Sequence, residues 1–144
     1  MTKVELHDFL KKVDKQFWGK LKEFINDKDF IEAWYEELKD YEISHIEAIF
    51  EDYDNMEFPP SAKYFSVNAK KQIKWIEHEL KYMENAIRLA SDSEESKHEF
   101  RKYMESIPMI DKLQLAEDIS REYTDYVRNK GFVDFRGWLN ERGK

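Results

Sequence analysis

Between Ala69 and Ala90 the apolar residues Ile73, Ile76, Leu80, Met83, Ile87 and Ala90 alternate by three and four. That alternation keeps them on one stripe of a helix and would scatter them over both faces of a strand. The stretch therefore commits the middle of the chain to a long helix, and whatever surrounds it must cover the stripe. Fewer than three heptads are short for a dimeric coiled coil, so the pattern predicts the core helix of an intramolecular bundle, with a helical dimer as the weaker alternative. The helix is predicted to start near Pro60, since proline suits a first helical position, and Ser66, Val67 and Asn68 mark a place where it could kink.

The rest of the chain carries the same period. Leu6, Phe9, Leu10, Val13, Phe17, Leu21 and Phe24 predict a first helix over about Val4 to Ile25, with Gly19 inside it. A second is predicted from Asp29, with Glu32 at capping-box spacing and Ile31, Trp34, Tyr35 and Leu38 inward. A third begins at Ser44, with Glu47 three residues on, and buries Ile46, Ile49, Phe50 and Tyr53. Ser91 and Glu94 open a fifth helix that Pro108 stops, and a sixth runs from Met109 to Asn129 with Gly131 as a left-handed cap. A short last helix is predicted to start at Asp134. No stretch alternates long enough to make a strand. The fold class is thus all-α, a bundle of six to seven helices around one long heptad-patterned helix. The expected organisation is an acidic helical domain over 1–66 and a helical region over 67–144 with a short aromatic and basic tail, one continuous domain being the alternative.

Charge is unevenly placed. The 144-residue chain has a formal net charge of −7, yet residues 27–57 hold 12 acidic residues against only Lys28 and Lys39. Such a surface repels a phosphate backbone and attracts a basic partner. Glu36, Glu37, Glu47, Glu51, Asp52 and Asp54 are the candidates for its outward face. All arginines lie in the second half, where Phe132, Phe135, Arg136 and Trp138 cluster in a segment too short to bury them alone. They are predicted either to dock on the bundle or to anchor a partner, exposed aromatics beside arginine having the composition of a binding hot spot. Trp34 and Trp75 lie on or beside apolar stripes and read as core.

Catalytic and metal-binding signatures are weak. The glycines are too scattered for a phosphate loop. Asp52, Asp54, Asn55 and Glu57 resemble a calcium loop only until Met56 takes a ligand position and Glu57 the place of the turn glycine. His7, His45, His78 and His98 lack metal-ligand spacing and read as surface histidines. The serines Ser44, Ser61, Ser91 and Ser93 read as helix caps. No cysteine is present, so no disulfide or thiol chemistry arises. The expectation is a protein with no enzymatic activity, cofactor or metal, no direct nucleic-acid contact and no membrane segment, working in the cytoplasm as a monomer or weak dimer.

A resemblance sharpens this. Trp34, Leu38, Lys39, Asp40, Tyr41, Ile49, Phe58, Pro59, Pro60 and Ser61, behind a leading helix with Leu10, Val13 and Phe17, resemble the N-terminal domain of bacteriophage replicative-helicase loader/inhibitor proteins of Gram-positive hosts. The resemblance covers residues 4 to about 65. It implies a small, acidic, helical, non-catalytic protein of the bacterial host cytoplasm. Such a protein binds a DnaB-type hexameric helicase, restrains it, and helps deliver it to an origin with a phage initiator. In that family the C-terminal half is flexible and carries the helicase contact, whereas residues 69–130 here are strongly periodic and predicted to fold. The alternative is an acidic phage inhibitor of another host nucleic-acid enzyme, a CRISPR nuclease or restriction enzyme, in which residues 27–57 mimic DNA.

Overall fold

The computed structural model describes residues 1–143. Among them the protein is all-helical, with no strand and seven helices: α1 (Lys3–Gln16), α2 (Lys28–Leu38), α3 (Ile43–Glu51), α4 (Ala62–Ser91), α5 (Glu94–Glu105), α6 (Met109–Lys130) and α7 (Phe135–Arg142). Backbone packing separates two compact units, Met1–Gln72 and Ile73–Lys144, and α4 runs from the first into the second.

In the first unit, α1 buries Leu6, Phe9, Leu10 and Val13. Its core is aromatic: the Phe9 ring meets Phe50 at 5.7 Å and Phe65 at 5.4 Å, both edge-to-face, and Trp34 lies 6.0 Å from Phe65. The arrangement sets the positive edge of one ring against the negative face of the next.

The first helix is shorter than its apolar pattern predicts. The chain leaves it at Phe17, and Trp18 and Gly19 both take positive φ, 54° and 80°. Asp14 fixes this exit, its carbonyl accepting from the Gly19 amide at 2.9 Å and its carboxylate from the Leu21 amide at 2.7 Å. Gly19 therefore serves as the residue that lets the chain turn left-handed.

Two caps also move. Asp27, rather than Asp29, caps α2 by accepting from the amides of Asp29 and Phe30. The cap position of α3 is Glu42, whose side chain does not bond the first-turn amides, so Ser44 lies inside that helix.

The long helix is unbroken where a kink could have formed. Ser66 donates to the Lys63 carbonyl at 3.2 Å and Asn68 to the Tyr64 carbonyl at 2.8 Å, so both polar side chains bond back along the helix. Before it, Ser61 accepts from the Tyr64 amide at 3.1 Å, and helical geometry begins at Ala62.

In the second unit, α4 contributes Ile87, α5 Phe100 and Met104, α6 Ala116, Ile119, Tyr123 and Val127, and α7 Phe135 and Trp138 to one apolar core. Ser93 caps α5, while Ser91 ends α4 and donates to the Ile87 carbonyl. Gly131 follows α6 with φ 95° and ψ 171°, an extended backbone region open to glycine rather than the left-handed cap the sequence predicts. Trp75 departs from its core reading and is 56% exposed, because it sits about 100° around α4 from buried Ile76.

Candidate partner-binding surface

The acidic candidates divide by what they already bond. Glu36 pairs with Lys39 at 2.9 Å and Glu47 with Lys12 at 3.4 Å, and Glu37 accepts from the Ser66 hydroxyl at 2.5 Å. The Glu36 carboxylate beside it raises the Lys39 pKa. Among the described residues, Glu51, Asp52 and Asp54 have no ion pair, and all three are exposed. They form the edge where α3 runs into the loop before α4.

That loop is held rather than loose. The Asn55 side-chain oxygen accepts from the amides of Glu57 and Phe58 at 2.9 and 3.2 Å, and the Tyr53 hydroxyl donates to the Phe58 carbonyl at 2.7 Å. Burial, then the neighbouring Tyr64 and Asp54, pushes the Tyr53 pKa up and keeps that hydroxyl protonated as a donor. The loop thus presents Met56 and Phe58 to solvent.

The exit from α1 meets the same loop. Lys20 donates to the Glu57 carbonyl, and its ammonium lies 5.3 Å from the centre of the Phe58 ring, within cation–π range. Buried Phe17 packs on Tyr53 at 6.2 Å, and its neighbour Trp18 is 79% exposed. A left-handed tryptophan is costly, by about 1–2 kcal/mol, yet here it gains no burial in return. Of the two loops tied by Lys20, the α1 exit therefore carries exposed Trp18, and the loop before α4 carries exposed Met56 and Phe58 directly after the unpaired Glu51, Asp52 and Asp54.

The C-terminal candidates are not gathered on one surface. Phe135 is 1% and Trp138 8% exposed, in edge-to-face contact with Tyr123 at 5.3 Å each. Their expected role as partner anchors is corrected: α7 folds back and spends both rings on the core. Phe132 is 62% exposed and stands apart from them, and Arg136 is exposed while its amide donates to Glu99 at 2.7 Å. Trp18 and Phe58 are exposed aromatics that the apolar periodicity does not single out, and they join Trp75 and Phe24, which are exposed against their core expectation. The signal was present, since Trp18 lies next to a glycine and off the α1 stripe, and Phe58 precedes two prolines.

The chain matches no family model, no curated protein and no solved structure.

Other chemistry gains little from the geometry. Among the described residues no group of three or more His, Asp or Glu is placed to hold a metal ion. His45 departs from a surface reading, being buried with Nε2 2.6 Å from the Gln72 side-chain oxygen. A shallow cleft of about 320 Å³ between α4 and α5 balances Glu77, Glu84 and Glu105 against Lys81, Arg101 and Lys112, and so favours neither sign of ligand. No helix among the described residues is long and apolar enough to cross a membrane.

Proposed function

We propose that the protein is a non-catalytic, phage-type adaptor that binds a DnaB-type replicative helicase and inhibits or loads it, using the paired loops of its first unit. The observation that carries this reading is the Lys20 tie between the α1 exit, which exposes Trp18, and the loop before α4, which exposes Met56 and Phe58 directly after the unpaired acids Glu51, Asp52 and Asp54. An apolar centre with a charged rim is the anatomy of a protein interface, and the sign of the rim selects a basic partner surface. The sequence pattern from Trp34 to Ser61 supplies the link to helicase loaders. Because Phe135 and Trp138 are core residues, the contact is assigned to the first unit rather than to the C-terminal segment.

The test is direct. With a purified bacterial DnaB-type helicase and ATP, the protein should form a complex and change the ATPase rate. Trp18→Ala together with Phe58→Ala should weaken that complex by at least about tenfold, the scale of losing hot-spot aromatics. No complex and no change in ATPase rate would overturn the reading. Complexes instead with a CRISPR nuclease or restriction enzyme, displaced by DNA and steeply weakened by salt, would favour the DNA-mimic alternative.

A further inference from the structure

Among the described residues Met56 is the one exposed methionine. The chain has five. Met56 is 62% exposed, Met104 lies in the second core at 2%, and Met1, Met83 and Met109 are half-buried. Met1 packs against the core of the first unit and Met83 against that of the second. A thioether is oxidised only where its sulfur meets the oxidant, so accessibility ranks Met56 first.

The loop before α4 holds Met56 at the surface. Just before it, the Asn55 side-chain oxygen accepts from the amides of Glu57 and Phe58 at 2.9 and 3.2 Å. Just after it, Lys20 donates to the Glu57 carbonyl and the Tyr53 hydroxyl to the Phe58 carbonyl. The backbone is therefore pinned on both sides, and Met56 packs on neither apolar core. A polar atom added to its side chain meets water in the free protein and disturbs no buried contact. In a complex the same atom meets a partner, because Met56 stands between the unpaired acids and exposed Phe58.

A peroxide supplies the atom. The lone pair of the Met56 sulfur attacks one peroxide oxygen, the O–O bond breaks, and water leaves from hydrogen peroxide. Sulfur is oxidised by two electrons and the peroxide reduced by two. A flexible apolar side chain becomes a polar sulfoxide, which a dithiol reductant returns to the thioether, forming a disulfide and water. A sulfoxide oxygen buried in an interface without a donor loses its hydration and opposes association. We infer that Met56 is a site of reversible oxidation by peroxides, and that its sulfoxide releases the partner while leaving the fold intact. The release rests on the proposed role of these loops in binding a helicase, whereas the selectivity of oxidation does not.

The experiment treats the full-length chain with limiting hydrogen peroxide, removes the oxidant, and maps the methionines by peptide mass spectrometry. Met56 should gain one oxygen before any other methionine, with circular dichroism and melting temperature unchanged. Binding to a purified DnaB-type helicase should then weaken by at least about tenfold, the scale of losing one hot-spot contact. Met56→Leu should bind like the native chain before and after treatment, and Met56→Gln should bind weakly without any. Earlier oxidation at Met1, Met83, Met104 or Met109 would overturn the inference. A Met56 sulfoxide that binds undiminished, a lowered melting temperature, or a Met56→Leu chain that peroxide still weakens would do the same. A helicase that does not bind even the untreated chain would overturn the proposed function and the release with it, while peptide mapping would still decide the oxidation site.

Discussion

Arg101 holds Glu84 by two parallel hydrogen bonds, Nε to one carboxylate oxygen at 2.7 Å and Nη2 to the other at 2.6 Å. The Glu84 side chain is almost fully buried, whereas that of Arg101 is half in water. The pair fixes α5 against α4 beside the core of the second unit, and the carboxylate raises the arginine pKa further. Removing one partner is the costly change, because it leaves a desolvated charge without its donors. Arg101→Met should lower stability by about 2 kcal/mol, within the range for hydrogen bonds to charged groups. Glu84→Leu added to Arg101→Met should recover most of that loss. Urea midpoints of the two variants test it, and equal midpoints would show that the pair acts only on the surface.

Tyr123 anchors α7. Its hydroxyl donates to the Val133 carbonyl at 2.7 Å and shares a bond with the Ser96 hydroxyl at 3.1 Å, whose oxygen accepts from the Phe135 amide at 3.3 Å. Tyr123→Phe keeps the ring contacts and removes this junction, and should cost about 1–3 kcal/mol by leaving buried polar atoms unpaired. Burial raises the Tyr123 pKa, chiefly by desolvating the phenolate. The folded state thus favours the protonated form. The associated stability is fully present below the ordinary tyrosine value of about 10 and is lost as pH rises through the folded value. Thermal unfolding from pH 9 to pH 11.5 should show a steeper alkaline decline in the native protein than in Tyr123→Phe.

The opposite limb belongs to Glu122. Its hydrogen bond from Arg142, at 2.5 Å, holds its carboxyl below the usual range. A lowered folded pKa gives stability that is present above about pH 4 and is lost as pH falls through the folded value. Both side chains are about two-fifths exposed, so water screens the pair and its contribution should be below about 1 kcal/mol. Arg142→Met should reduce the loss of stability between pH 6 and pH 3, and an identical acid decline in both proteins would remove the pair from the account.

Trp18 sets stability against function. Trp18→Gly relieves a backbone conformation that a side chain resists, offset in part by the entropy glycine restores to the unfolded chain. The melting temperature should therefore hold or rise by a few degrees, equivalent to about 1 kcal/mol at most. The same substitution should weaken the helicase complex. A clear fall in melting temperature would mean that Trp18 is structural and would remove it from the proposed interface.

Much of the architecture was legible because it is local. The heptad of Ile73, Ile76, Leu80, Met83, Ile87 and Ala90 specifies a long helix without any knowledge of what covers it. Pro108 and Asp134 mark where α6 and α7 begin, since a missing donor and a capping position act within one turn. Caps were misplaced by up to two residues at Asp27, Glu42 and Ser93, where several neighbouring side chains were chemically able to serve. The end of α1 was misread because Phe17, Leu21 and Phe24 keep helical spacing. In the folded unit Phe17 and Leu21 reach the interior from a turned segment whose course Asp14 sets, and Phe24 is left 46% exposed.

The fate of the aromatics lay beyond a linear reading. Trp75 and Trp138 sit in comparably amphipathic sequence, yet one faces solvent and the other packs on Tyr123. Periodicity gives the face of a helix, and only the packing of α7 on α5 and α6 decides whether that face is covered. By itself the sequence determined the helical class, the long central helix and the acidic character of residues 27–57, since all three follow from side-chain period and charge. Tertiary structure alone decided that Phe135 and Trp138 are core and which carboxylates remain unpaired. Each of these depends on residues distant in sequence, brought together when apolar burial offsets the entropy of ordering them.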